Sequence, residues 1–227
     1  MEKQQVKQAI LDQRVMAIAR RIPAETLVQA AEALYRGGVR LLEVTFAPGS
    51  FRDPSAAAED ERTAAAIAQL RDRMAGRMIV GAGTVMTAGQ VELARQAGAA
   101  FLLAPDLNRE VVEAGNRAGL VTIPGAMTVT EIADAFRYGA DIVKVFPAGV
   151  VGPHFFKDVL APLGDLPLIA VGGVSPETIP AFLAAGVKGF GIGSGMFPRA
   201  AMAAGDWAAV AANAKRYADA AHGRTEA

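Results

Sequence analysis

The chain has 227 residues, with 23 Lys and Arg against 23 Asp and Glu, no Cys, two His and 24 Gly. Without cysteine there is no disulfide scaffold, thiolate zinc site, iron–sulfur cluster or cysteine nucleophile, and two histidines exclude a three-histidine metal site within one chain. Balanced charge argues against nucleic-acid or membrane partners, which need an excess of Lys and Arg.

The N-terminal stretch MEKQQVKQAILDQR is polar and mixed in charge, lacks the apolar centre of a signal peptide, and predicts a helix over 3–12. No run approaches the ~20 apolar residues of a membrane span. A cytoplasmic protein is expected. From there one rhythm runs along the chain. The apolar run VMAIAR (15–20) ends on Arg20 and is followed by a helical stretch over 23–38. There Leu27, Ala30, Ala31 and Leu34 share one face. LLEVTF (41–46) carries Glu43, and a long loop with an early helix start covers 47–63. MIVGAG (78–83) precedes Thr84, and Thr87 caps a helix over 87–99. FLLAP (101–105) ends on Pro105. LVTIPG (120–125) leads to the capping box Thr128–Glu131. DIVKVFP (141–147) contains Lys144 and Phe146. PLIAVGG (167–173) ends on Gly172 and Gly173 before Ser175-Pro176-Glu177, a further predicted helix start. GFGIGS (189–194) ends on Gly193 and Ser194.

The eight runs are apolar on both faces, as parallel strands covered by helices are. Five of the intervening helices stop at glycines able to take the left-handed conformation: Gly37/Gly38, Gly98, Gly119, Gly139 and Gly186. Eight strand–helix units over this length predict an α/β protein, a (β/α)8 TIM barrel with an extra N-terminal helix and a single domain over 1–227. An open doubly wound sheet is the competing architecture, but Gly81-Ala82-Gly83 lacks dinucleotide-binding spacing.

In such a barrel the strand ends build the site. Lys144 and Glu43 each stand inside an apolar run, where a charge needs a partner or a task. Burial drives an amine toward its neutral, nucleophilic form and a carboxyl toward a pKa useful for proton transfer. The plain alternative is a buried Glu43–Lys144 ion pair. Glycines at 172, 173 and 193 with Ser194 fall after strands seven and eight, where barrels of this kind bind phosphate; tight turn packing is the alternative. Arg20 and Thr84 are candidates for holding a substrate carboxylate, although Arg21 beside Arg20 also fits a solvated basic corner. Pro105 and Phe146 are candidate apolar walls. The 47–63 loop reads equally as substrate cover or as surface insertion. His154 and His222 read as surface residues and the methionines as core filler.

LLEVTF, VGAGTV, IPGAMTVTEI, DIVKVFPAG, AVGGV and GIGS, in this order and spacing, resemble the 2-keto-3-deoxy-6-phosphogluconate (KDPG) / 4-hydroxy-2-oxoglutarate (KHG) aldolase family from about residue 10 to 215. The resemblance implies a class I, metal-free and cofactor-free lyase of the Entner–Doudoroff type, usually a homotrimer. Lys144 would form the Schiff base and Glu43 would be the general acid/base. Thr84 would bind the pyruvyl carboxylate, with Gly172, Gly173 and Ser194 at the phosphate. The small-molecule substrate would be a 2-keto-3-deoxy sugar acid phosphate, giving pyruvate. Many family members carry an arginine two residues past Glu-Val-Thr. Here the stretch is Phe46-Ala47-Pro48, so Arg20 or Arg52 would take that role, and the sugar acid stays open. A phosphosugar isomerase or epimerase and a non-catalytic phosphosugar-binding barrel are the other readings of these residues.

Overall fold

The computed structural model describes residues 1–224. In chain order the elements are α1 (Lys3–Gln13), β1 (Val15–Ala19), α2 (Ala24–Arg36), β2 (Leu41–Thr45), α3 (Ala57–Arg73), β3 (Ile79–Gly83), α4 (Ala88–Gln96) and β4 (Phe101–Leu103). They continue as α5 (Arg109–Arg117), β5 (Val121–Ile123), β6 (Gly125–Ala126), α6 (Val129–Arg137), β7 (Val143–Val145) and α7 (Ala148–Leu163). The last are β8 (Leu168–Val171), α8 (Ile179–Ala184), β9 (Gly189–Ile192), α9 (Arg199–Ala204) and α10 (Trp207–Ala221).

All pairings are parallel, in the order β5-β4-β3-β2-β1-β9-β8-β7-β6. β5 and β6 are the two halves of the predicted run over 120–125. Pro124, which has no N–H to give a ladder, splits them; the first half pairs with β4 and the second with β7. The chain itself therefore bridges the ends of the pairing order, and the eight expected strands form a (β/α)8 ring.

Helix boundaries follow local chemistry. Thr87 accepts from the Gln90 N–H, and Thr128 with Glu131 forms a reciprocal capping box. Gly38, Gly98, Gly119, Gly139 and Gly186 all have positive φ. One start is drawn out: the Ser175 carbonyl accepts the Ile179 N–H at 3.1 Å and the Thr178 hydroxyl accepts the Ser175 N–H at 2.9 Å, half of a capping box. Pro180 has no N–H to continue the ladder, so regular α8 runs only from Ile179.

Strand alternation sorts the core into two shells. Met16, Ile18, Leu41, Phe101, Leu103, Val121, Ile123, Ile142, Ile169 and Val171 pack together inside the ring, with Val6 and Ile10 of α1 against them. The alternate residues, such as Ala17, Leu42, Val80, Leu102, Val143 and Ala170, meet the helices outside. Burying each large apolar side chain is worth roughly 1.5–3 kcal/mol. The interior is tight: a Cβ on Gly81 would lie 2.3 Å from the Phe101 ring, so glycine is what admits the phenylalanine. Helix α1 stoppers the ring's N-terminal end. Lys3 ties it there, reaching Asp141 at 2.8 Å and Asn116 at 2.7 Å, while Asp141 also accepts the Thr122 N–H at 2.9 Å.

Candidate functional site

The inward parity that stacks Leu41 and Ile142 in the interior brings Glu43 and Lys144, two residues further along, to the layer above. Their exposures are 2% and 5%. Burial pushes the Glu43 carboxyl up to about 7, opposed in part by the positive charges of Lys144 and Arg20. Burial likewise lowers the Lys144 ammonium from its ordinary value, opposed by Glu43 and, more weakly, by Asp106, with Arg20 adding to the lowering. The two groups influence each other without forming an ion pair. Glu43 Oε2 has no hydrogen-bond partner, and Lys144 Nζ instead stands 4.8 Å from the centre of the Phe146 ring, a cation–π distance. The plain buried ion pair is therefore not what these residues make.

Neighbouring strands make room for this pair. Glu43 lies opposite Gly81 in the β2–β3 register, yet its carboxyl leans toward the strand end and fills the space where Gly83 lacks a side chain. Gly125 pairs with Lys144, and a Cβ there would lie 2.3 Å from the Pro105 carbonyl oxygen. Close approach at Gly125 thus brings Pro105 and Asp106 beside the lysine.

Above this layer a cleft of about 1030 Å³ opens between the ends of β1, β8 and β9. Of the expected residues, Arg20, Phe146, Gly172, Gly173, Gly193 and Ser194 line it. Gly172 and Gly173 have φ of 87° and 75°, and a Cβ on Gly173 would lie 2.9 Å from the Gly149 Cα, so both conformation and space require glycine. Asn213 steadies the last turn, donating to the carbonyls of Gly195 at 2.8 Å and Met196 at 3.1 Å. Among the described residues the cleft lining includes Arg20, Arg21 and Arg199 and no Asp or Glu. The charged side chains of the lining are therefore all positive.

Glu43, Lys144, Thr84 and Pro105 lie outside that lining, nearer the strand ends around β2 to β7. Thr84 directly follows β3 with φ of 55°, a left-handed conformation unusual for a branched residue. Beyond β2, the 47–63 loop forms two short 3-10 turns, Ser50–Arg52 and Pro54–Ala56, before α3. Arg52 in it is exposed, with its guanidinium 5.3 Å from the Phe51 ring. His154 and His222 are exposed. Among the described residues no cluster of His, Asp and Glu is placed to hold a metal ion, and no helix is long and apolar enough to cross a membrane.

Sequence reasoning missed Asp106, Gly83 as the niche for Glu43, Arg199 and Gln90. Asp106 had a signal, since it follows the end of a predicted strand. Burial raises its carboxyl from the ordinary value, with Lys144 opposing the shift. Arg199 had only its position just past the strand-eight loop.

A family model described as "Aldolase: KDPG and KHG aldolase" matches residues 6–213. The 2-dehydro-3-deoxy-phosphogluconate aldolase of Treponema pallidum (strain Nichols) is 35% identical over 206 residues, covering 88% of this chain and 89% of that one. The probable 2-dehydro-3-deoxy-6-phosphogalactonate aldolase of Rhizobium meliloti (strain 1021) is 40% identical over 129 residues, 56% of this chain. That match spans only 60% of the relative's own length. A solved structure of the Legionella pneumophila KDPG aldolase, with pyruvate captured as a covalent carbinolamine intermediate, superposes with a TM-score of 0.79 at 25% identity. It covers 92% of this chain and 96% of that one. This chain belongs to the KDPG and KHG aldolase family.

Proposed function

We propose that the protein is a class I aldolase. It cleaves a 2-keto-3-deoxy-6-phospho sugar acid, KDPG or a close analogue, to pyruvate and glyceraldehyde 3-phosphate; 4-hydroxy-2-oxoglutarate is a further substrate candidate. The observation that carries this reading is Lys144, a buried amine with a lowered pKa and, among the described residues, no ion pair, standing 4.8 Å from the Phe146 ring, beside a carboxyl that burial pushes up to about 7.

The neutral Lys144 amine attacks the C2 ketone. Glu43 supplies the proton with which the carbinolamine hydroxyl leaves as water, giving a protonated imine. Now a carboxylate, Glu43 takes the C4 hydroxyl proton, the C3–C4 bond breaks, and its electron pair flows into the imine to form an enamine. Glyceraldehyde 3-phosphate departs. Proton return to C3 and hydrolysis release pyruvate and restore the amine. Thr84 and Arg20 hold the carboxylate end, Pro105 and Phe146 wall the reacting carbons, and Gly172, Gly173, Gly193 and Ser194 receive the phosphate. With Phe46-Ala47-Pro48 after Glu-Val-Thr, Arg20 is the better replacement for the family arginine, because its charge acts on both Glu43 and Lys144 whereas Arg52 is exposed in its loop.

The chain is further proposed to be a cytoplasmic homotrimer of the Entner–Doudoroff type. Exposed Met127, Val129 and Val150, which follow the adjacent strands β6 and β7, suit a subunit contact. Borohydride reduction with pyruvate tests the chemistry: one stable adduct on Lys144 is expected, and labelling elsewhere or inactivation by chelators overturns it. Light scattering tests the assembly.

A further inference from the structure

Gln90, in the first turn of α4, is 2% exposed. Its side-chain oxygen accepts the Met86 N–H at 2.7 Å. Its amide nitrogen donates to Ser50 Oγ at 2.8 Å and to Asp60 Oδ2 at 3.0 Å. Three of the four hydrogen bonds available to a primary amide are thus made. They join three separate pieces of chain: the turn after β3, the 3-10 turn after β2, and α3.

The turn after β3 is the strained one. Thr84 sits in the left-handed region that a branched residue avoids, and such a conformation persists only where its surroundings fix it. The residues after Thr84 show how it is fixed. Val85 donates its N–H to the Leu103 carbonyl at 3.0 Å, Met86 donates to Gln90, and the Met86 carbonyl accepts from Asn108 Nδ2 at 3.4 Å. The Gln90 bond is the shortest of the three.

We propose that Gln90 is a positioning residue for substrate binding. By clamping Met86 it holds the hydroxyl and N–H of Thr84 in place, and by clamping Ser50 it ties the 47–63 loop to the same point. The inference rests on the reading that Thr84 binds the pyruvyl carboxylate. It predicts that Gln90 acts on substrate affinity and leaves the proton chemistry of Glu43 and Lys144 intact.

Exchange of the pyruvate methyl protons with deuterated solvent, followed by NMR, separates the two readings. It needs only the Schiff base, the acid/base and the carboxylate contacts. Gln90→Met is expected to raise the pyruvate KM about tenfold, the effect of losing one buried hydrogen bond, with kcat within about twofold of wild type. Ser50→Ala, which leaves the Met86 clamp, is expected to keep the wild-type pyruvate KM. The exchanged pair Gln90→Glu with Asp60→Asn retains both an acceptor for Met86 and a bond between positions 90 and 60, and is expected to restore the KM. Should Gln90→Met fail to fold, Gln90→Asn, too short to reach Met86, is read in its place. Folded Gln90→Met (or Gln90→Asn in its place) with wild-type pyruvate KM, or with kcat lost and KM unchanged, overturns the inference. Thr84→Ala distinguishes the underlying reading: if it leaves the pyruvate KM unchanged, the carboxylate role of Thr84 fails. If it raises KM while Gln90→Met does not, only the positioning role fails.

Discussion

A Cβ placed on Gly83 would fall 1.5 Å from Oε1 of Glu43. The glycine is the niche into which the carboxyl leans, and no side chain can share it. Gly83→Ala should therefore expel the carboxyl and lower aldol cleavage by about 100-fold, the scale of losing a general acid/base, with the circular dichroism spectrum retained. Gly89→Ala is the matched control. Its Cβ would make an ordinary contact with Thr87 Oγ1 at 3.7 Å, and in the first turn of α4 it should be neutral or stabilise by up to about 1 kcal/mol. Coupled lactate dehydrogenase assays and thermal melts read both.

The raised pKa of Glu43 sets a pH signature with two parts. Turnover uses Glu43 first as an acid and then as a carboxylate base, so cleavage should peak near pH 7 and fall on both sides. The stability effect is one-sided. A carboxyl whose folded pKa is raised contributes stability at low pH, and that contribution is lost as pH rises from 4.5 through about 7. Glu43→Gln should consequently lose the kinetic pKa. It should also melt above wild type at pH 8, by a margin on the order of 3 kcal/mol, and converge with wild type near pH 4.5.

Lys144→Met should abolish borohydride trapping and reduce cleavage by at least about 1000-fold. Because burial lowers the folded-state pKa of Lys144, wild type carries a penalty below the lysine's unfolded pKa that deepens as pH falls through the folded one. The methionine variant lacks that penalty and should be the more stable protein at acidic pH, as calorimetry would show. Lys144→Arg retaining substantial turnover would instead point to isomerase chemistry.

Arg199 lines the cleft with the glycine loops, so Arg199→Ala should raise KM for a phosphorylated substrate about tenfold, as loss of a charge-assisted hydrogen bond does. The dephosphorylated analogue should show no change. Raising ionic strength should weaken binding of the phosphorylated substrate in the wild type more than in the variant.

What could be read from the sequence was whatever is local. Strand runs, glycine stops and the Thr128 capping box are set by neighbours in the chain. Glu43 and Lys144 announced themselves as charges in apolar strands. Ser175-Pro176-Glu177 marks a real turn start, but Pro180 has no N–H for the Pro176 carbonyl and delays regular α8 to Ile179. Gln90 looked like any helix-surface glutamine, and nothing in its flanking residues reveals that Ser50 and Asp60 lie 40 and 30 positions away at hydrogen-bond distance. Arg199 and Asp106 acquire meaning only when the ring brings the strand ends together.

The N-terminal helix has a consequence for the order of events. With Val6 and Ile10 packed into the foot of the ring and Lys3 fastened to Asp141, the barrel is a well with a single mouth. Whatever reacts at Lys144 must enter and leave at the strand ends, the end where the cleft beside Phe146 and the glycine loops opens. In the proposed reaction the phosphorylated aldehyde sits toward the mouth, and the three-carbon fragment stays bonded to the floor. Traffic is then last in, first out: the aldehyde leaves before pyruvate is released, and in the synthetic direction pyruvate must load first.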